Sequence, residues 1–387
     1  MIKVGLIRGA YLSQFEMQTY ERMIPAVDLE AYLIQINRFA TGIINVPIRR
    51  LRCIDDPFAA VSPKLGFYFD LFLQATCGLD YYHFGLIDAL AAKDIAHTME
   101  TFNAFSHQAL QAKRRHGTRL AVTVWENRPY AAERFSAKRR MKYEVIAGTD
   151  LFLAMTPRAA RCLELEGAAP EKIVVQPPGI DLVRFRPGPK SVYWLDRLGI
   201  PHDAFVFLSV AALAWEKGVY EVLHAFKRLT LECRPGRPLR LVFAGAGGER
   251  DRLTALAERI GLGDQVVFTR FPYERMHEGY ALADVFLLNS APRPGWLEQF
   301  GYALAEALAS GTPIITTRSG SIPEVVGDAA LLVPPADFLA VHQAMAALLG
   351  DRALRRDLAR RARARAESEF NRDRNAQRIR RAYERIL

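Results

Sequence analysis

The sequence predicts an α/β chain of two doubly wound domains, each a mostly parallel sheet with helical crossovers. Three observations carry this. The 387 residues exceed one ordinary core and suit two domains at roughly 150 residues apiece. Short β-branched or apolar runs alternate with longer amphipathic ones through both halves, the signature of parallel strands and crossover helices. The alternation breaks at Gln176-Pro-Pro-Gly-Ile-Asp-Leu-Val-Arg-Phe-Arg-Pro-Gly-Pro189, where four prolines and two glycines can continue neither a helix nor a central strand. It restarts beyond that segment, which places one domain at 1–180 and a second at 190–365. Two such domains joined by a linker imply a cleft. Ligands of these sheets sit outside the carboxyl ends of the strands.

In the first half, strands are expected at 2–8, 31–36, 119–125, 151–155 and 172–176, with helices around 14–24, 101–115, 134–147 and 157–166. In the second half, strands are expected at 205–211, 239–244, 265–268, 284–288, 312–316 and 330–333. Helices there are expected at 217–231, 248–260, 274–282, 299–310, 336–349, 351–369 and 372–386.

Half of the residues are hydrophobic and 24% are charged, the balance of a soluble globular chain. Cys53, Cys77, Cys162 and Cys233 show neither metal-ligand nor redox spacing and read as buried thiols in a reducing compartment. Met1-Ile-Lys-Val-Gly-Leu-Ile-Arg8 reads as a buried strand and not as a signal peptide. No stretch reaches the roughly 18 uncharged apolar residues of a membrane span. The expected location is the cytoplasm, with peripheral contact at the inner face of a membrane left open. Of the formal charge of +10, residues 351–387 hold +7, from 13 Arg against 6 Asp plus Glu. A solvated helix face accounts for these arginines, with an anionic membrane surface as the alternative. No nucleic-acid motif accompanies the charge, so no nucleic-acid partner is expected.

The chemistry concentrates in Trp296-Leu-Glu-Gln-Phe-Gly-Tyr-Ala-Leu-Ala-Glu-Ala-Leu-Ala-Ser-Gly-Thr-Pro-Ile-Ile-Thr316. A buried strand ending in polar residues, Ala283 to Ser290, precedes it. A helix is expected to begin near Gln299 or Phe300, with Glu298 at its mouth, Gly301 in its first turn and Glu306 inside. Gly311 would end it as the C′ residue. A helix start offers free N–H donors and partial positive charge, which suits a diphosphate. Carboxylates accept hydrogen bonds from sugar hydroxyls. Taken singly, Glu298 also fits a helix-terminal charge without a ligand, and Glu306 a solvated helix residue.

The spacing of Glu298 and Glu306, with seven residues between them, resembles the E-x7-E motif of retaining glycosyltransferase family 4 (glycosyl transferases, group 1). The likeness continues through Ala305-Glu-Ala-Leu-Ala-Ser-Gly-Thr-Pro-Ile-Ile, Ser319-Gly-Ser-Ile-Pro-Glu-Val-Val and Leu331-Leu-Val-Pro-Pro-Ala-Asp. Phe243-Ala-Gly-Ala-Gly-Gly-Glu-Arg is similar to the family's glycine-rich strand end and contributes Gly245. Glu216-Lys-Gly-Val is similar to its phosphate-binding lysine motif. Pro178-Gly-Ile-Asp-Leu-Val-Arg-Phe-Arg-Pro is similar to its interdomain segment. The tail, with Tyr383, is similar to its closing helices, so 366–387 is expected to pack back toward the first domain. The ordered series covers about residues 172–387.

The resemblance implies the GT-B fold, two Rossmann-like domains facing across a cleft, with the acceptor in the first and a nucleotide sugar in the second. It implies that Glu306 binds ribose hydroxyls and Glu298 sugar hydroxyls. Phe300, Gly301 and Tyr302 would offer backbone N–H groups, and Lys217 would neutralise the leaving diphosphate. It implies no metal and no cofactor beyond the donor, a UDP-, GDP- or ADP-sugar. The chain has no Asp-x-Asp metal signature near the site. One departure is Ala212, which stands where the family usually has an arginine five residues before the lysine; Arg293 and Arg318 are the candidate replacements.

The N-terminal half resembles the family less. Gly9 follows the first strand in Arg8-Gly9-Ala10-Tyr11, where members often carry a glycine pair, and a plain tight turn accounts for it equally well. Trp125 or Glu126 occupies the place of a family histidine, and Glu126 is a candidate to line the cleft. His97, with Glu100 just beyond, falls at a strand end and reads either as a sugar ligand or as a structural histidine. The aromatic segment Leu65-Gly-Phe-Tyr-Phe-Asp-Leu-Phe-Leu73 reads as core, or as a lid or lipid-facing element. The expected activity is therefore a retaining, metal-independent transfer of a hexosyl-type sugar to a glycan, lipid-linked or small-molecule hydroxyl. The alternatives are a catalytically silent partner of the same fold, or a basic membrane- or nucleic-acid-binding protein on the same scaffold.

Overall fold

The computed structural model describes residues 1–10, 12–35, 44–54, 56–232 and 236–387. They divide into two units: Met1–Gly179 with Arg372–Leu387, and Ile180–Asn371. The chain leaves the first unit inside the Pro/Gly segment. It rejoins it at Arg372 for a last helix, Arg372–Glu384, which starts at the expected residue 372.

The first unit is a seven-stranded parallel sheet. Its strands are β1 (Ile2–Gly9), β2 (Val27–Ile34), β3 (Ile48–Leu51), β4 (Ile95–Met99), β5 (Arg119–Val124), β6 (Leu151–Ala154) and β7 (Ile173–Val175), in the order β3-β2-β1-β4-β5-β6-β7. Side chains alternate across it, as the strand period requires. Val4 and Leu6 join the cluster under the last helix, with Ala376, Ile379 and Tyr383. Ile7 joins the opposite one, with Phe105, Leu110, Val145 and Leu163 of helices Ala104–His116, Ser136–Gly148 and Pro157–Leu165. β2 begins at Val27, four residues ahead of expectation, and the helix expected at 14–24 is a short turn, Gln14–Met17, followed by a 3-10 turn, Glu21–Met23.

The second unit is a six-stranded parallel sheet. Its strands are β8 (Phe205–Val210), β9 (Leu239–Ala244), β10 (Val266–Thr269), β11 (Val285–Leu288), β12 (Ile314–Thr317) and β13 (Ala330–Val333), in the order β10-β9-β8-β11-β12-β13. Both sheets reverse their winding once, at β1/β4 and at β8/β11. Crevices for ligands form at the carboxyl ends of such strand pairs. The core of the second unit gathers Phe205, Phe207, Leu241 and Phe243 under helices Val219–Glu232 and Phe338–Gly350.

The arginine-rich tail is more than a solvated face. Arg363 donates to the carbonyls of Leu182, Phe185 and Ala309, and Arg365 to those of Glu324 and Val325. These guanidinium groups supply donors to carbonyls of the linker and of helix ends. Among the cysteines, Cys53 and Cys162 are buried free thiols, Cys77 is exposed against expectation, and Cys233 lies outside the described residues. Among the described residues no helix is long and apolar enough to cross a membrane.

Candidate active site

The β8/β11 reversal brings together residues distant in sequence. Lys217 closes a 3-10 turn, Trp215–Lys217, just after β8. Asn289 and Ser290 follow directly on β11. The turn is held against this strand end because Gly218 (φ +66°) has no side chain: a Cβ would lie 2.0 Å from the Asn289 carbonyl oxygen. The Ala291 N–H donates to the Glu216 carbonyl across the same gap (2.9 Å).

Glu298 lies in the irregular segment ahead of helix Tyr302–Ala309 and is buried. Its Oε2 accepts from Lys217 Nζ (2.6 Å) and Ser290 Oγ (2.7 Å). The ammonium also stands 4.6 Å above the Trp296 ring centroid, a cation–π arrangement. The Glu298 backbone is fixed from the other side by the turn after β12. The Ser321 N–H donates to the Glu298 carbonyl (3.0 Å), and Gly320 packs against that peptide so closely that a Cβ would sit 2.1 Å from its oxygen.

The helix starts at Tyr302, later than expected, so Gly301 is its N-cap and not a first-turn residue. Its φ of +80° is a conformation that favours glycine. Phe300 is buried between the Tyr302 and Phe370 rings. Glu306, one turn in, is buried and not solvated, and its Oε2 accepts from the Tyr280 hydroxyl (2.7 Å). Burial pushes its pKa up to about 7, while Tyr280, Tyr273 and the Arg184 charge pull the other way. Arg184 lies 4.4 Å from the Tyr273 ring centroid and 4.6 Å from that of Phe185. Gly311 (φ +64°) follows the C-cap Ser310, as the sequence indicates.

Other expected residues are placed differently. Gly245 serves backbone packing, since a Cβ would lie 1.9 Å from the Ala211 carbonyl oxygen. Arg293 is exposed and pairs with Glu216 (3.3 Å). Arg318 is exposed beside Ser319 and Gly320.

Sequence reasoning passed over Ser290, which holds the Glu298 carboxylate. It also passed over Asn289 and Ser319, whose side-chain polar atoms are buried with no hydrogen-bond partner. Buried polar groups are normally paired, so these mark a polar lining. The available signal was the polar end of the β11 run.

In the first unit, Gly9 (φ +57°) sits where a Cβ would meet the Phe105 ring at 2.7 Å, so packing accounts for it. His97 is fully buried. Its Nδ1 bonds the Tyr383 hydroxyl (2.6 Å) and its Nε2 the Thr123 hydroxyl (2.7 Å). Burial, then the Arg8 charge, hold the ring well below its usual pKa. With both nitrogens engaged, this histidine ties the last helix to the sheet and has none left for an acceptor.

Glu126 forms a two-pronged pair with Arg128 (2.9 Å for each contact). With Glu100, Glu166 and Lys142 it lines a small recess. Glu100 adopts φ +58°, and its Oε1 accepts from the N–H groups of Trp125 and Glu126. Burial pushes its pKa up to about 8.

Residues 194–365 match the family Glycosyl transferases group 1. The D-inositol 3-phosphate glycosyltransferase 1 of Catenulispora acidiphila is 34% identical over 218 residues, 54% of this chain and 50% of that protein. The D-inositol 3-phosphate glycosyltransferase of Acidothermus cellulolyticus is 36% identical over 228 residues, 56% of this chain and 49% of that one. The chain spans about half the length of the curated relatives it matches. Among solved structures, Anabaena HepE in complex with UDP has a TM-score of 0.76 at 17% identity, over 99% of this chain and 100% of that one. Sucrose-phosphate synthase from Thermosynechococcus elongatus has a TM-score of 0.73 at 20% identity, over 100% and 99%. At such identities the structural likeness speaks to fold alone. Sequence match and topology together show that the chain carries a glycosyl transferases group 1 domain at residues 194–365 and has the GT-B fold of two Rossmann-like domains.

Proposed function

We propose that this chain moves a sugar from a nucleoside-diphosphate sugar to an acceptor hydroxyl, with retention at the anomeric carbon. The observation that carries this reading is the Lys217–Glu298–Ser290 cluster at the β8/β11 reversal. A cation and a hydroxyl-binding carboxylate there suit a diphosphate joined to a sugar. Lys217 takes the diphosphate charge, and Glu298 accepts from sugar hydroxyls. Glu306, buried beside Tyr280, takes the ribose hydroxyls.

The bond from the anomeric carbon to the phosphate oxygen breaks, and a bond to the acceptor oxygen forms on the same face. The acceptor proton passes to the departing phosphate. Lys217 and the start of helix Tyr302–Ala309 supply the positive field that this leaving group needs, with no metal called for in this reading. Anabaena HepE has been solved with UDP and with UDP-glucose, so a UDP-sugar heads the candidate donors, ahead of GDP- and ADP-sugars. A glycan, a lipid-linked sugar or a small polyol is the acceptor class.

The test is a thermal-shift panel of UDP-, GDP- and ADP-sugars, followed by hydrolysis of whichever stabilises the protein. One donor should raise Tm, and Glu298→Ala should abolish turnover. A protein stabilised by none of the three sinks the donor assignment. Stabilisation without turnover favours a silent partner of the same fold.

A further inference from the structure

The aromatic segment of the first unit folds as helix Pro63–Thr76, preceded by helix Asp56–Val61. It is arranged inside out. The face turned inward holds Gly66, Asp70 and Leu73, whereas Leu65, Phe67, Tyr68, Leu71 and Phe72 turn outward. Phe67 is 61% exposed, Tyr68 65% and Phe72 58%. Val61 and Phe58 extend the surface onto the neighbouring helix, and Phe58 stacks on Phe69 at 3.9 Å between centroids. Isolated exposed apolar residues are ordinary, but a contiguous patch of this kind marks a contact surface.

The exposed charges described beside the patch are mainly basic, with Glu144 standing 4.0 Å from Arg140. Within the described residues of the two helices, Asp56 accepts from the Cys53 N–H (2.6 Å) and Asp70 is buried. Lys64 is the exposed charge that remains. Helix Ser136–Gly148, which packs against Pro63–Thr76, presents exposed Arg139 and Arg140. Exposed Arg52 lies beside exposed Phe84, whose N–H donates to the Arg52 carbonyl (2.9 Å).

Aromatic and aliphatic side chains on one helix face, with a mainly basic margin, are the composition of a helix that lies in a lipid interface. Fourteen residues extend only about 21 Å as a helix, too short to span a bilayer. Such a helix therefore lies along the surface. We propose that the helix pair Asp56–Val61 and Pro63–Thr76 docks the protein on an anionic lipid bilayer, aromatic face inward, with Lys64, Arg52, Arg139 and Arg140 at the headgroups. The membrane contact is independent of the sugar-transfer reading. It places the lipid contact on the first unit and not on the arginine-rich tail, the alternative the sequence left open, where Arg363 and Arg365 are spent on carbonyls.

The test is flotation of the full chain with vesicles of equimolar phosphatidylcholine and phosphatidylglycerol, beside vesicles of phosphatidylcholine alone. The wild type should float with the mixed vesicles and more weakly with the neutral ones. Combined Phe67→Ser, Tyr68→Ser and Phe72→Ser should weaken binding by about tenfold or more, since burying each ring contributes to insertion. Their circular dichroism and donor-induced Tm shift should match wild type. Combined Arg139→Gln and Arg140→Gln should weaken binding to the mixed vesicles only. A wild type that stays with neither vesicle overturns the proposal, as does a triple variant that floats like wild type. So does a dimer in size-exclusion chromatography that the triple variant abolishes while vesicles bind neither protein, because the occupant is then a second copy.

Discussion

Gly320→Ala perturbs the proposed site without altering a single group that would touch substrate. An added Cβ would sit 2.1 Å from the Glu298 carbonyl oxygen and 2.9 Å from its nitrogen, both backbone atoms that cannot rotate away. Relief to an ordinary non-bonded separation requires about 1 Å of displacement. The movement falls on Glu298 or on the turn whose Ser321 N–H holds it. The φ of +54° adds strain of about 1–3 kcal/mol for a residue with a side chain. A reacting group misplaced by about 1 Å can lose on the order of 100-fold in rate, equivalent to about 2.7 kcal/mol. The expected outcome is a fall of about that size in kcat/KM for donor turnover, with a modest fall in Tm. Gly350→Ala is the control, because a Cβ there meets nothing within 4 Å, and it should leave both unchanged. A folded Gly320→Ala protein whose kcat/KM stays within about threefold of wild type would refute the claim that this turn positions Glu298.

Three further outcomes follow from buried charges. Glu306 has a folded pKa of about 7 against the usual 4.5, so donor affinity measured by calorimetry should tighten as pH rises through about 7, where the carboxylate forms. Glu306→Gln should remove that dependence and weaken binding by about 1.5–3 kcal/mol, the worth of hydrogen bonds to a charged acceptor. Glu100, pushed up to about 8, stays protonated in the fold while the unfolded chain ionises. This group should therefore lower wild-type stability as pH rises from about 4.5 to about 8, by on the order of 5 kcal/mol. Urea denaturation across that range should show Glu100→Gln with this share of the slope removed and the share of Glu306, below about pH 7, retained. Lys142 is fully buried between Glu166 (2.7 Å) and Glu133 (2.9 Å), so Lys142→Met should cost about 3–5 kcal/mol in the same assay, the penalty for stranding a buried partner charge.

The contrast between β5 and β4 shows what the sequence can carry. β5 is an apolar run, Leu-Ala-Val-Thr-Val after Arg119, and reads as a buried strand without help. β4 is as buried, but His97 and Thr98 interrupt its pattern. They are tolerated because Tyr383, Thr123 and Ser106 satisfy them, and Tyr383 is 286 residues from His97. β3 fails for the opposite reason: its Ile-Arg-Arg-Leu is an exposed edge, and half of it is charged. Glu306 illustrates the same limit in the site. Flanking alanines leave its helix face ambiguous, and its burial comes from Tyr280, 26 residues upstream. Local pattern locates elements and strand ends, whereas the partner of a buried polar group is decided by the tertiary fold.

The pairing of Lys217 with Glu298 bears on the charge that Ala212 fails to supply. Arg293 is committed to Glu216, and Lys217 is held by Glu298 at 2.6 Å. Before a donor arrives, the proposed phosphate ligand and the proposed sugar ligand therefore neutralise each other. A diphosphate would compete for the ammonium, and its greater charge favours the exchange as water leaves the site. Glu298 would then give up the ammonium and keep Ser290, opening an acceptor position to a sugar hydroxyl. Phosphate recognition and sugar recognition are coupled by this exchange, and a nucleoside diphosphate without its sugar takes the ammonium from Glu298 and offers no hydroxyl in its place. Removing the carboxylate should thus improve the product's hold on Lys217. Nucleoside diphosphate should bind Glu298→Ala more tightly than wild type while the intact donor binds more weakly, and calorimetry that finds both weakened alike would show that the two residues do not work as a pair.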